Sequence, residues 1–451
     1  MTNDMQQHKA LYASVWRWHF YAGLYVAPFL VVLACTGLAM LARDPIDRWQ
    51  LGDLLTNTSG GNPVSHQARL DAARTSFPNA TLVRYQPGRD ATDATRVTAT
   101  LNERPQTIFV DATTGAVRGI VEDRRRIYVM AHLLHGTLLL GNVGDALIEI
   151  AASLGILSIV SGLYLWFPKG TSFWQSFRIS GATSRLVWRD LHKITGVILA
   201  PLLALQLIAG LAWTEVWGGR FVQTWSTLAA TNAAPGESAS HHETLNAGSS
   251  KVVPWNLEQT PLPSSAHAGH GLITLDAAIA AAQREGIGQR FFVGVPTDAD
   301  GVWTIAQTGL NDDINDPRQE LTVHVDRHTG SVVGHGGWKE YSPIARAMAA
   351  GIPLHMGSLG WWNLAGASVL CLSVLALSVS GLVMWWLRRP ARGWRLAAPP
   401  RPDPARVPLV TWVTAAILGM LFPLAGATLV AIAIVDWALV RRVPALRQLL
   451  N

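Results

Sequence analysis

Four histidines stand at repeated positions beside long apolar stretches. His19 in VWRWHFYAGLYVAP and His192 in VWRDLHKITGVILAP are each followed by Gly, Pro and Gly at offsets of 4, 9 and 18 residues. His135 in LLHGTLLLG and His355 in PLHMGSLG precede matching segments, SGLYLWFP and SGLVMWW. Imidazoles that converge from facing helices are the usual axial ligands of a six-coordinate haem in a helical bundle.

The order of these histidines along the chain predicts two pairs. His19 and His192 stand at the start of the first and third apolar spans, and His135 and His355 stand before the second and fourth. A pseudo-twofold axis through the bundle would bring the members of each pair opposite one another. His132 lies one helical turn before His135. It has no counterpart in the second copy, so His135 is the favoured ligand and His132 a neighbour or an alternative.

Other roles for these histidines remain open at this point. A zinc or copper site needs further carboxylate or thiolate ligands, and none shares these positions. The interpretation as a proton relay is disfavoured because no Asp or Glu is expected at mid-membrane beside either pair. A single histidine at the headgroup level can also serve only as a hydrogen-bonding group.

Glycines near the histidines are expected to let a flat macrocycle approach the helix backbone. They are Gly23, Gly136, Gly196 and Gly357.

The elements that must position the histidines are membrane spans. The 451 residues are 49 % hydrophobic and 15 % charged, with a mean hydropathy of +0.22, which is typical of a membrane protein. Cys35 and Cys371 lie inside apolar stretches without CxxC spacing, which argues against disulfides, zinc sites and iron–sulfur clusters. Apolar stretches long enough to cross a bilayer occur at about 20–41, 143–167, 194–217 and 361–387, and a further one at 409–440.

Charge predicts the orientation. The loops 168–190 and 388–408 are short and basic, and are therefore expected in the cytoplasm. Residues 42–125 and 218–354 then lie on the other side, which in a bacterium is the periplasm of an inner-membrane protein. Because these loops account for most of the formal charge of +6, no nucleic-acid partner is expected, and the surrounding partner is the lipid bilayer.

The predicted fold is a mainly α membrane protein built by a parallel internal duplication. Each copy contains a helix, a small α+β domain and a second helix, and the four long helices form a bundle. VDATTGAV at 110–117 and VDRHTGSV at 325–332 predict a strand, a turn and a strand in each domain. The second copy has a Ser/Ala/Gly-rich insert at about 228–270, and Pro423 divides the tail into a helical hairpin.

These patterns give the following division of the chain. The cytoplasmic N-terminus and first transmembrane helix are expected at 1–41, the first periplasmic domain at 42–125, and the second transmembrane helix with a periplasmic lead-in at 126–167. A cytoplasmic loop follows at 168–190, then the third transmembrane helix at 191–217 and the second periplasmic domain at 218–354. The fourth transmembrane helix is expected at 355–387, a second cytoplasmic loop at 388–408 and a hydrophobic hairpin at 409–451. The GNVGD sequence at 141–145 is expected to break the second helix and fold its outer end inward.

The motifs WRWHFYAGLYVAPFLVVLACTG, LHG…SGLYLWFP, WRDLHKITGVILAP and PLHMGSLG…SGLVMWW, with VDxxTGxV between spans, resemble the PepSY-associated transmembrane family of iron-regulated inner-membrane proteins. The resemblance covers roughly residues 10–390. It implies PepSY-like periplasmic domains and a periplasmic ferric-siderophore reductase with two b-type haems. By resemblance, His19 and His192 hold one haem iron, and His135 and His355 hold the other.

The expected function is electron transfer from a cytoplasmic donor to iron in a ferric siderophore or another Fe(III) chelate. The sequence has no GxGxxG fingerprint, so flavin or NAD(P)H is expected on a partner. No catalytic nucleophile or general base is required. Two alternatives stay open, a non-enzymatic binding or inhibitory module anchored in the membrane, and a siderophore or haem permease. The permease is disfavoured because the spans contain few polar residues.

Overall fold

The computed structural model describes most of the chain. The described residues are 2–167, 172–179, 183–221, 263–265, 271–297, 301–309, 313–389, 396–399, 408–440 and 442–443. The predicted insert at 228–270 lies outside them except for residues 263–265, and most of the predicted loop 388–408 also lies outside.

The chain forms two compact units. The first, here called the helical unit, contains Met1–Leu38, Leu133–Arg220 and Ser368–Asn451. The second, here called the sheet unit, contains Ala39–His132 and Phe221–Ala367. Each unit is assembled from segments that are distant in the sequence.

Twelve α-helices are present in the described residues. In chain order they are α1 (Thr2–Leu41), α2 (Arg43–Leu51), α3 (His66–Ser76), α4 (Ile127–Thr137), α5 (Asn142–Trp166), α6 (Ser184–Leu211), α7 (Trp217–Phe221), α8 (Leu275–Arg284), α9 (Pro343–Met356), α10 (Trp361–Arg388), α11 (Leu409–Leu421) and α12 (Pro423–Val435). Four of them, α1, α5, α6 and α10, are long and apolar enough to cross a membrane, which confirms the number of spans predicted from the sequence.

The third span differs from its predicted bounds. The helix α6 begins at Ser184, where the side chain of Thr183 caps it by accepting a hydrogen bond from Leu186 N. It ends at Leu211 instead of residue 217. Arg185 and Arg189 therefore belong to the first turns of this helix, and the predicted loop 168–190 is too long at its C-terminal end.

Both even-numbered spans are preceded by a short separate helix. The break between α4 and α5 covers residues 138–141, where Leu138, Leu139 and Gly141 adopt φ angles of 51°, 62° and 58°, and it meets the predicted 141–145 segment at Gly141. Gly357, at φ 77°, ends α9 in a left-handed cap, and α10 begins at Trp361. The prediction that His355 starts the fourth spanning helix is therefore wrong, because His355 lies on α9.

The sheet unit contains one antiparallel sheet of eight strands, where the sequence predicted two separate domains. The strands are β1 (Thr81–Gln86), β2 (Thr95–Leu101), β3 (Arg104–Val110), β4 (Val117–Glu122), β5 (Phe292–Gly294), β6 (Trp303–Gln307), β7 (Leu321–Val325) and β8 (Val332–Gly337). Their spatial order is β4-β3-β2-β1-β5-β6-β7-β8. The two four-stranded halves join because β1 pairs with β5, with Tyr85 opposite Val293.

One face of this sheet carries the core of the unit. Leu70 and Ala73 of α3 pack there with Leu275 and Ala278 of α8, and all four side chains are fully buried. Strands β1–β3 and β5–β7 contribute apolar side chains to this same face of the sheet. Their burial stabilises the contact between the two four-stranded halves. A small α+β arrangement of helix and four strands therefore occurs twice in one continuous layer.

The predicted hairpin turns are present in both halves. Asp111 accepts hydrogen bonds from the backbone of Thr113 and Thr114, and Gly115 follows at φ 74°. Asp326 accepts the corresponding bonds from His328 N and Thr329 N. This Asx-type turn explains why both VDxxTG motifs need Asp at the second position and Gly at the last.

The tail forms two short helices, as the sequence predicts. Pro423 begins α12 immediately after α11. The ring of Trp412 in α11 lies 6.4 Å from that of Trp18 in α1, and Trp217 Nε1 donates to Leu421 O at the other end of α11. The helix α11 therefore runs along the bundle from the end that contains Trp18, and the turn to α12 lies beside Trp217.

Candidate functional site

His19 is held by the helix α5. Its Nδ1 atom lies 3.1 Å from Ser158 O and 3.0 Å from Ser161 Oγ, while Ser161 Oγ donates to Leu157 O at 2.7 Å. Because a backbone carbonyl oxygen only accepts hydrogen bonds, Nδ1 of His19 must carry the proton. The Nε2 atom then has the lone pair that binds a metal.

His192 is held in the same way by α10. Its Nδ1 atom lies 3.1 Å from Leu377 O and 3.1 Å from Ser380 Oγ, and Ser380 Oγ donates to Leu377 O. The carbonyl again fixes the proton on Nδ1 and the lone pair on Nε2. The helical unit therefore presents two imidazoles in the same tautomer.

The structure brings His19 and His192 together. Their ring centroids are 6.3 Å apart, and the ring planes are inclined by 77°. An imidazole nitrogen binds a transition metal at about 2.0–2.1 Å, so two rings on opposite sides of one metal ion have centroids about 6.4 Å apart. Within the described residues, Nε2 of neither ring has a hydrogen-bond partner. The pair fits a bis-imidazole metal site.

Two glycines make room for the imidazoles. A Cβ atom added to Gly162 would lie 3.1 Å from His19 Cε1, and one added to Gly381 would lie 3.2 Å from His192 Cε1. Each glycine follows the serine that accepts the Nδ1 proton. The Ser-Gly pair occurs in both SGLYLWFP and SGLVMWW. This repetition is the sequence signal that could have predicted the contacts of the serines and glycines with the histidines.

A cavity of about 800 Å³ surrounds the two rings. This volume lies within the range of about 300–1,000 Å³ that is usual for cofactor sites. Gly23 and Gly196 line the cavity, as predicted for a flat ligand, and a Cβ atom on Gly23 would meet no atom of the protein within 4 Å. Most of the other lining residues are apolar, including Leu203, Leu207 and Leu377.

Cations also line this cavity. The lining includes Arg185, Arg189, Lys193 and Arg388. The fully buried Asp190 pairs with Arg189 at 2.9 Å and with Lys193 at 3.3 Å. A planar apolar cofactor that carries two carboxylates, such as haem, matches this combination of apolar walls and basic residues.

His135 has an equivalent anchor on the first span. Thr36 Oγ1 lies 2.9 Å from His135 Nδ1 and 2.7 Å from Val32 O, so the hydroxyl can donate to the carbonyl and accept from an Nδ1 proton. Gly37 allows the close approach, because a Cβ atom there would lie 3.8 Å from His135 Cε1 and 3.3 Å from Cys371 Sγ. In the tautomer with the proton on Nδ1, the Nε2 atom of His135 carries the lone pair that can bind a metal.

The second predicted pair is divided between the two units. His135 belongs to the helical unit, while His355, in the last turn of α9, belongs to the sheet unit. The pairing of these two residues stays a prediction. His132, one turn before His135 on α4, has a ring partner in the sheet unit, since it stacks on Tyr128 with centroids 6.5 Å apart and planes at 26°.

The structure also bears on the alternative metal and proton sites. In the parts of the chain that the structure describes, no group of three or more His, Cys, Asp or Glu side chains is arranged to hold a metal ion. A buried acid does occur in one of the spanning helices. Glu149 of α5 is fully buried and accepts a hydrogen bond from Trp217 N at 3.0 Å. It stabilises the start of α7, where α6 has ended.

A comparison with curated proteins found no match. A comparison with protein families found a match to the PepSY-associated TM region. The matched residues extend from the segment that contains His19 through the end of α10. With residues 16–388 matched, including both Ser-Gly pairs and all four repeated histidines, the chain belongs to the PepSY-associated TM region family.

Proposed function

We propose that this protein is a di-haem oxidoreductase of the bacterial inner membrane that passes electrons from a cytoplasmic donor to a ferric siderophore in the periplasm. The observation that carries the proposal is the pair His19 and His192, with Nδ1 fixed by hydrogen bonds and ring centroids 6.3 Å apart. This separation suits one iron between two Nε2 atoms.

Each part of the site has a definite task in this proposal. A b-type haem held there supplies reversible one-electron chemistry. Ser161 and Ser380 orient their imidazoles through Nδ1. The apolar walls exclude water, and Arg185 and Arg388 offset the negative charge of the cofactor's carboxylates.

Charge supports the proposed orientation. Arg17, Arg185, Arg189 and Lys193 lie near the His19 end of the bundle, and basic residues favour the cytoplasmic side. The donor is then a flavin or NAD(P)H on a partner protein, because the sequence has no nucleotide fingerprint. The sheet unit, which contains the duplicated PepSY-like halves, is assigned to the periplasm.

A second haem between His135 and His355 completes the proposed route. Thr36, which anchors His135, comes 17 residues after His19 on the same helix. At 1.5 Å per residue this is about 26 Å along α1, close to the thickness of the apolar core of a bilayer. Reduction releases chelated iron because Fe(II) is held less firmly by hard oxygen donors than Fe(III).

The test is the optical spectrum of the purified protein with haem quantified per chain. We expect a reduced b-type spectrum that His19→Ala and His192→Ala each weaken by about half, since each removes one of two haems. His335→Ala is the control, because His335 is exposed in the sheet unit. A colourless protein, or an unchanged spectrum in the alanine variants of all four repeated histidines, would leave only an anchored binding module.

A further inference from the structure

The serines that orient the two imidazoles are each followed by a tryptophan. Trp166 comes five residues after Ser161 on α5, and Trp385 comes five residues after Ser380 on α10. At 1.5 Å per residue, each tryptophan lies about 7.5 Å beyond its serine, toward the C-terminal end of the helix. Both tryptophans line the cavity that surrounds the imidazoles. The duplication therefore gives each of the two serine helices an indole N–H at an equivalent position.

The two indole N–H groups differ in their hydrogen bonds. Trp385 Nε1 donates to Leu396 O at 2.8 Å, in the segment that follows α10. Trp166 Nε1 is buried, and in the part of the chain that the structure describes it has no acceptor. A buried donor without an acceptor is destabilising, and such donors are rare in folded proteins. The protein itself thus satisfies one of the two equivalent positions and leaves the other open.

The ring of Trp166 is held in place by other aromatic rings. Its centroid lies 5.5 Å from that of Phe173, with the planes at 84°, and 5.6 Å from that of Phe177, with the planes at 65°. Edge-to-face contacts of this kind stabilise one orientation of an indole ring. A freely turning side chain therefore does not explain the missing acceptor, and we look for the acceptor in the ligand that the cavity holds.

The surroundings of Trp166 indicate the chemistry of this acceptor. An indole N–H only donates, so its partner carries a lone pair. Arg185 and Arg388 line the same cavity, and cations favour an acceptor that is negatively charged. A porphyrin carries its carboxylates only at its rim. Trp166 lies beyond the serine contact along α5, which suits a group at the rim and not one at the metal.

We propose that Trp166 Nε1 donates a hydrogen bond to one carboxylate of the haem between His19 and His192. The identity of the ligand rests on the proposed function. Trp385 has a single N–H, which already donates to Leu396 O. The carboxylate is therefore held from the helix that orients His19 and not from the helix that orients His192.

The test uses Trp166→Phe, which removes the N–H and keeps an aromatic ring against Phe173 and Phe177. It is made in the full chain with His135→Ala, so that one of the two proposed haem sites remains, and the protein is purified from haem-depleted cells. Two ligands are titrated into it, iron protoporphyrin IX, which has two carboxylates, and iron octaethylporphyrin, which has none. We expect the variant to bind the first about tenfold more weakly, because a hydrogen bond to a charged group is lost. Its unchanged binding of the second would show that the site is folded.

Trp385→Phe is the matched control, because it removes the same group at the equivalent position. It should change the affinities for the two porphyrins by the same factor. Trp386→Phe should change neither affinity, since Trp386 is 65 % exposed. The resonance Raman bands of the haem carboxylate side chains provide a second measurement, and among these three variants only Trp166→Phe should shift them.

Two results for Trp166→Phe would overturn the proposal. Equal losses of affinity for both porphyrins would mean that the indole acts by packing, and no loss for either would mean that it does not contact the ligand. A selective loss in Trp385→Phe would also overturn it. In each of these cases the parent with His135→Ala alone still binds haem, so the proposed function stands. A parent that binds neither porphyrin would refute the proposed function, and the role of Trp166 with it.

Discussion

The Oγ atom of Ser161 lies 3.0 Å from Nδ1 of His19, on the side of the ring away from the proposed ligand nitrogen. The contact joins α1 to α5, and Ser380 makes the same contact to His192 between α6 and α10. Each imidazole is thus oriented by a hydroxyl and a carbonyl of one neighbouring helix. Four helices, α1, α5, α6 and α10, therefore hold the two rings.

Ser161→Ala should weaken haem binding at the His19 site. The serine hydroxyl is lost, but Ser158 O still accepts the Nδ1 proton, so the tautomer survives and the ring is held less firmly. Loss of such an indirect partner costs about 10–100-fold in metal affinity, and we expect the lower end of this range. Haem titration into protein purified from haem-depleted cells measures it.

Ser153→Ala is the control for this substitution. Ser153 is also fully buried on α5, so its loss removes a buried hydroxyl two turns away from the histidine contact. Equal haem affinities for both serine variants and the parent would show that the hydroxyl does not orient His19.

Gly162→Val should remove haem from the same site. A Cβ atom at residue 162 already lies 3.1 Å from His19 Cε1, and the two methyl groups of valine must push the ring aside. Gly366→Val on α10 is the control, because a Cβ atom there meets nothing within 4 Å. We expect about half of the haem per chain in the first variant and full occupancy in the second. Full occupancy in both would contradict the placement of the His19 ring.

The sequence predicts the spans, the repeated histidines and the hairpin turns because each depends on local pattern. Apolar length defines α1, α5, α6 and α10, and the Asp and Gly of VDxxTG define a turn through backbone geometry. The joining of β1 to β5 could not be predicted, since strand pairing across 200 residues leaves no local trace.

The short helices α4 and α9 show where the pattern misleads. Their apolar residues continue those of the following spans, so hydropathy alone merges each pair into one helix. The break before α5 depends on φ angles of Leu138 and Leu139 that are rare for leucine, and such angles are set by packing and not by composition. The break before α10 depends on the left-handed cap at Gly357. The sequence therefore predicts His355 on the fourth span, although it lies on α9.

Glu149→Ala should destabilise the helical unit. The carboxylate is fully buried and accepts a hydrogen bond from the backbone N–H of Trp217, which the substitution removes. Removing one partner of a buried hydrogen bond costs about 1–3 kcal/mol. Glu149→Gln keeps an acceptor oxygen and should lose much less stability. Thermal unfolding of both variants in one detergent compares them, and equal midpoints would show that the Trp217 contact contributes nothing.

The buried pair Glu320 and Tyr341 makes the stability of the sheet unit depend on pH. Burial raises the pKa of Glu320 to about 7, although Tyr341 Oη donates a hydrogen bond to it at 2.8 Å. The ordinary pKa of a glutamate side chain, which applies in the unfolded state, is 4.5. Between pH 4.5 and pH 7 the folded state therefore binds more protons than the unfolded state. The contribution of Glu320 is fully present below pH 4.5 and is lost as the pH rises through 7, by roughly 3 kcal/mol in all.

Glu320→Gln should abolish this loss, because an amide keeps the acceptor for Tyr341 and cannot ionise. Hydrogen exchange at residues 321–337, measured at pH 5 and at pH 8 and corrected for the intrinsic exchange rate, reports the local stability of β7 and β8. We expect the parent protein to lose protection between these pH values and the variant to keep it. Glu285→Gln is the control, since Glu285 is exposed at the end of α8 and should behave like the parent. If the Glu320→Gln variant loses protection as the parent does, the pH dependence has a different origin.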